Sequence, residues 1–188
     1  MALLHHATLT PTKKELLDAW LPRQDWAAGL DPAALSVIGG YRLDDPDSEV
    51  GMEGIVLGGA DGGFVHVPLT YRGAPLEGAE EHLLGTMEHS ALGTRWVYDA
   101  EGDPVWQATA TATVLTGGSG AEEYFEVDGV RETREPLVAV TGSGGDVEEP
   151  EAVAVHLVGR APQGDATLTG RWAGGQGVLV VVRSAASR

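Results

Sequence analysis

The chain contains no cysteine, which excludes disulfides, thiolate metal sites and cysteine nucleophiles. Lysine is nearly absent too: the only two are Lys13 and Lys14. No Gly-Lys-Ser/Thr follows any glycine cluster, so a Walker A loop is missing. No lysine falls in an expected strand, which removes the group that pairs ATP phosphates in kinase-like folds. His-Arg-Asp and Asp-Phe-Gly segments are missing as well. Twelve basic residues face 28 acidic ones, a formal net charge of −16. Such a surface disfavours nucleic acid and anionic membranes, which require clustered cations. No stretch approaches the roughly 20 apolar residues of a membrane span. The start, "MALLHHATLTPTKKELL", lacks the basic segment and long apolar run of a signal peptide, so a cytoplasmic protein is expected.

What remains suits a folded core. The 188 residues are 43% hydrophobic and 21% charged, which fits one domain or a domain plus an appendage. A short helix is expected over 12–20, where Thr12 and Glu15 have capping-box spacing and Leu16, Leu17 and Trp20 share a face. Pro22 ends it, and Asp31-Pro32 signals a new helical turn. "SVIGGYRL", "EVGMEGIVL" and "FVHVPLTYR", joined by short turns, read as an antiparallel meander. Residues 80–87 are ambiguous and would form a helical turn or two. "TRWVYDA" is a strand, and Asp103-Pro104 starts a second helix that ends at Gly117-Gly118. Beyond Gly120, "EEYFEVDGVRETRE" is a hairpin signal, "PLVAVTG" a further strand, and residues 142–150 a flexible loop. "AVAVHLVGR", "ATLTGRW" and "GVLVVVR" complete a β-rich end.

Few residues suggest chemistry. The paired glycines lie between apolar runs and read as turns rather than phosphate cradles. His82 and His89 would share a face only on a continuous helix. His66 and His156 lie in expected strands and read as isolated packing residues. Adjacent acids such as Asp44-Asp45, Glu80-Glu81 and Glu148-Glu149 read as solvated surface. Ser119 lacks the Gly-x-Ser-x-Gly setting of a nucleophile elbow, because position 121 is Ala. Aromatics are the better candidates. Trp20, Trp26, Tyr71, Trp96, Trp106 and Trp172 would make a sugar-stacking platform with Arg72 and Arg95 as donors, or simply fill a helix–sheet core.

Three segments together resemble the N-terminal cap domain of actinobacterial maltokinases and related trehalose-pathway proteins. They are "WLPRQDWAAG" (20–29), "VHVPLTYR" (65–72) and "LLGTMEHSALGTRWVYDAEGDP" (83–104). The resemblance covers roughly residues 10 to 120. It implies an α+β fold, a cystatin-like antiparallel sheet flanked by short helices, here with a β-rich C-terminal extension. In the family the cap precedes a kinase-type lobe that makes maltose 1-phosphate from maltose and ATP. Here Asp25 stands where the family tends to a basic residue, Ala27 at an aromatic position and Leu30 at a lysine. No catalytic residue of maltokinase has a counterpart.

The expectation is therefore a stand-alone cap-like region, 1–120, followed by a β-rich part, 121–188, that packs with it or apart. No catalytic residue, metal ligand or cofactor is assigned. Its leading role is a non-catalytic interaction or regulatory module linked to α-glucan or trehalose metabolism, docking a protein through sheet edges and its acidic surface. The alternative is a carbohydrate-binding module, and a third reading is an enzyme with an unrecognised site. Arg23, Trp26, Tyr71, Arg72 and Trp96 are the candidate ligand-binding residues. The oligomeric state is left open.

Overall fold

A computed structural model describes residues 2–4, 7–60, 62–127 and 130–185. Strands β1 (Ala2–Leu4) and β2 (Leu9–Thr10) lead into helix α1 (Lys13–Trp20). The capping box forms as expected: Thr12 Oγ1 accepts the Glu15 N–H, and Glu15 Oε2 accepts the Thr12 N–H at 2.7 Å. Leu16, Leu17 and Trp20 are buried. Single 3₁₀ turns follow at Leu21–Arg23, Asp25–Ala27 and Pro32–Ala34, the last capped by the Asp31 carboxylate.

The meander is β3 (Ser36–Leu43), β4 (Gly51–Gly58) and β5 (Phe64–Arg72). After it come β6 (Leu83–His89), β7 (Gly93–Asp99) and helix α2 (Pro104–Leu115), capped by the Asp103 carboxylate on the Val105 N–H. The rest is β8 (Glu123–Val127), β9 (Val130–Arg134), β10 (Val138–Gly142), β11 (Pro150–Ala154), β12 (Ala166–Trp172) and β13 (Gly175–Ser184). The fold is α+β, with a curled antiparallel sheet of six strands in the order β2-β6-β7-β5-β4-β3. A four-stranded antiparallel sheet runs β10-β12-β13-β11, and a smaller one pairs β1 parallel to β8, with β9 outside.

Expectation and structure part at two places. Residues 83–89 are a strand, preceded by one 3₁₀ turn at Glu80–His82, so His82 and His89 do not share a helix face. A bulge between Leu83 and Gly85 turns Leu84 inward alongside Met87, and both join the cluster that holds Leu16. That three-residue spacing imitates a helix. Gly85 takes φ +155°, which L side chains rarely adopt. "PLVAVTG" holds the expected strand, β10, which pairs with β12. The hairpin's Asp-Gly turn lies outside the described residues. Second, β11 ends at Ala154, which leaves His156 in a bend beyond it.

Apolar residues pack on both faces of the large sheet. Leu17, Trp20, Leu21 and Ala27 cover Ile55, Leu57, Val67, Leu69 and Val97 on one side. On the other, Tyr41, Met52 and Val56 meet Trp106, Ala110 and Val114 of α2 and Val138, Leu168, Leu179 and Val180 of the second sheet. Burial on both faces explains why β4 and β5 are apolar in continuous runs instead of alternating. Helix α2 is joined to β11 by one side chain: the Gln107 amide donates to the Ala152 carbonyl at 3.0 Å and accepts the Ala152 N–H at 3.1 Å.

Candidate functional site

A cleft of about 1040 Å³ lies between the large sheet and the β1-β8-β9 sheet. Its lining gathers Lys13, Arg42, Arg72, Arg95 and Arg134, five of the chain's 12 basic residues. Five of the 28 acidic residues are there too: Asp44, Asp45, Glu49, Glu53 and Glu123. The lining is thus locally balanced on a protein that is strongly acidic overall.

At the cleft's centre, Glu53 on β4 ion-pairs with Lys13 of α1, and Arg42 of β3 stands 3.7 Å away. The Tyr71 hydroxyl donates to the same carboxylate oxygen at 2.9 Å, and the Lys13 ammonium lies 5.6 Å from the Tyr71 ring centroid. Burial opposes the charged form of Glu53, but Lys13 and Arg42 outweigh it and hold its pKa below the usual carboxylate value. Burial and the Glu53 charge push the Tyr71 phenol well above its ordinary value, so it stays a donor. Glu123, which faces Arg134 at 3.8 Å, is shifted upward by burial. The inner charges are engaged with one another, which fixes the cleft's shape.

Arg72 lines this cleft, but its guanidinium is held from behind. Its Nε and one terminal nitrogen donate to the two Asp103 oxygens, each at 2.7 Å. Asp103 is fully buried and also caps α2, so the pair anchors the helix to β5. Of the five sequence candidates, only Tyr71 and Arg72 line the cleft. Trp96 sits on β7 between Arg72 and Thr86 in register and does not line it, and Arg23 is exposed on a 3₁₀ turn elsewhere. The six aromatics do not converge. Trp20, Trp106 and Trp172 are buried in the two cores.

Trp26 has a different role. Its ring stacks on His156, with centroids 4.1 Å apart and planes inclined by 4°. His156 donates or accepts at two points: Nδ1 is 3.0 Å from the His66 carbonyl oxygen, and Nε2 is 3.4 Å from Glu101 Oε2. Glu101 Oε1 accepts the Ala154 N–H at 2.8 Å, and buried Asp99 accepts the Glu101 N–H. Burial works against a charged His156, but the carboxylates of Glu101 and Asp99 outweigh it and raise its pKa. His66 goes the opposite way. Burial, reinforced by the nearby His156, lowers it to about 3. Its Nε2 meets the Tyr41 hydroxyl at 3.1 Å inside the core. The two histidines expected to be isolated are therefore neighbours. The grouping of Asp99, Glu101 and His156 was not anticipated. Its one sequence signal is an imidazole inside the apolar run "AVAVHLV", which requires a polar partner.

A curled antiparallel sheet carrying α1 on one face and α2 on the other is an α+β fold, opened here at a charged cleft. Residues 20–103 match the family model of the maltokinase N-terminal cap domain, from the last residue of α1 to the N-cap of α2. The resemblance carried by "WLPRQDWAAG" and its companion segments is borne out over that stretch. Such a cap is an N-terminal, non-catalytic domain associated with maltokinase-like trehalose and glucan metabolism. No curated protein matches the chain. Among the described residues, no helix is long and apolar enough to cross a membrane.

Proposed function

We propose that this protein is a non-catalytic cap-type module that docks a protein of α-glucan or trehalose metabolism, working in the cytoplasm and without nucleic acid. The family match over residues 20–103 carries this reading. The cleft supports it: Glu53, Lys13, Arg42 and Tyr71 neutralise one another, while Arg95, held by the Thr94 carbonyl, and Arg134, beside Glu123, add positive charge to the lining that a partner's carboxylates would meet. The test is affinity capture from a lysate at low salt with wild-type protein and with Arg95→Glu/Arg134→Glu. Recovery of a glucan-pathway enzyme by the wild type alone supports docking through the cleft. Recovery of none overturns it.

A carbohydrate ligand is the second reading, favoured by the Tyr71 ring and the polar rim of the same cleft. Calorimetry with maltose, trehalose and glycogen decides it. Binding that Tyr71→Ala abolishes in a folded protein supports it, and no heat with any of the three removes it.

A further inference from the structure

Away from the cleft, Asp99, Glu101 and His156 each offer one ligand atom, and the three atoms lie within 4.8 Å of one another. They come from the end of β7, the 3₁₀ turn Ala100–Gly102 after it, and the bend after β11. We propose that these three side chains form a binding site for a divalent metal ion of the zinc class.

Four observations converge. The His66 carbonyl accepts from His156 Nδ1, so a proton sits there and Nε2, the nitrogen a metal would take in place of a proton, faces the carboxylates. Metal-bound histidines are oriented in this way, by a backbone carbonyl on the far nitrogen. The Trp26 ring fixes the imidazole plane. Glu101 is likewise held from behind by the Ala154 N–H on Oε1, which leaves Oε2 toward His156. Finally, the separation of 3.4 Å between Nε2 and Oε2 is long for a charge-assisted hydrogen bond. It equals the spacing of about 3.4 Å between two tetrahedral zinc ligands at bond lengths near 2.1 Å. A rotation of the Asp99 carboxylate supplies the third ligand, and water completes the shell.

Charge and access agree with this. Neither Asp99 nor Glu101 forms an ion pair with lysine or arginine among the described residues, and their positive neighbours are His156 and His82. Asp99 is 8% exposed. The Glu101 side chain is 28% exposed, so an ion can enter from solvent. One imidazole and two carboxylates make a mixed nitrogen and oxygen set that suits zinc rather than calcium or magnesium.

The test uses the full chain, stripped with a chelator and titrated with Zn²⁺ by calorimetry and with Co²⁺ by visible absorbance. One Zn²⁺ per chain is expected, with affinity at least tenfold weaker in His156→Gln and in Glu101→Gln. A His5→Ala/His6→Ala variant should bind as the wild type does. Zn²⁺ should also change tryptophan emission in the wild type, and this response should vanish in Trp26→Phe while binding persists. Absence of binding overturns the site. So does binding unchanged in both Glu101→Gln and His156→Gln, or binding lost with His5 and His6. Because the wild-type titration stands alone, a variant that fails to fold does not shelter the proposal.

Discussion

Trp26 and His156 lie face to face at 4.1 Å, one from the first 3₁₀ turns and the other from the bend that follows β11. Trp26 also meets Trp20 at 5.9 Å, so it links α1 to the C-terminal part of the chain. Trp26→Ala should lower stability by about 2–3 kcal/mol, combining lost apolar burial with a lost stacked pair. Urea denaturation measures this. Trp26→Phe should recover much of the loss.

Arg72 and Asp103 predict an asymmetric mutational pattern. Asp103→Ala leaves the guanidinium unpaired and α2 uncapped, and should cost about 3–5 kcal/mol. Arg72→Lys keeps a charge but loses the two-pronged geometry, and should cost less. The double change Arg72→Met/Asp103→Ala should be less harmful than the sum of its parts. Denaturation of all three variants checks the order.

Acid should weaken the protein through His66. Its folded pKa of about 3 lies below the ordinary 6.5, so between those values the unfolded chain binds a proton that the folded one refuses. Stability therefore falls as pH drops through that window, by an amount on the order of 4 kcal/mol. The groups facing His66 are Tyr41 and His156. His156 acts in the opposite sense, because its raised pKa adds stability below 6.5 that is lost as pH rises through the folded value. Denaturant midpoints from pH 7 to pH 4 should decline in the wild type and decline less steeply in His66→Phe.

The limits of the family match do not coincide with the limits of the packed core. Trp106, Ala110 and Val114 lie beyond residue 103, yet they cover Tyr41, Met52 and Val56. A fragment of residues 20–103 should therefore bind a hydrophobic dye and lack sharp near-ultraviolet dichroism, whereas the full chain should not.

Much of the architecture could be read from the sequence because local signals agreed with the tertiary outcome. The Thr12 and Asp103 caps, the meander and the strands "SVIGGYRL", "FVHVPLTYR" and "ATLTGRW" lie where pattern and turn chemistry put them. Residues 80–87 read ambiguously: they hold one 3₁₀ turn and the start of β6, where a bulge makes Leu84 and Met87 share a side at helical spacing. The charged centre of the cleft was hidden for another reason. Lys13, Arg42, Glu53 and Tyr71 come from four separate elements, and no spacing rule connects them. His156 and Glu101 stand 55 positions apart, on the bend after β11 and the 3₁₀ turn after β7, and no local pattern links them.

The Gln107 amide on Ala152 bears on how this protein meets others. Strand β11 is one of the two edges of its sheet, and an edge strand ordinarily offers its backbone as a template on which a foreign strand can grow. Here Gln107 imitates that foreign strand, occupying both the N–H and the carbonyl of Ala152, and Glu101 takes the N–H of Ala154. The side is sealed from within the molecule. Docking by strand addition to a sheet edge, one of the routes expected above, is closed along β11, and so is the runaway stacking that begins at such margins.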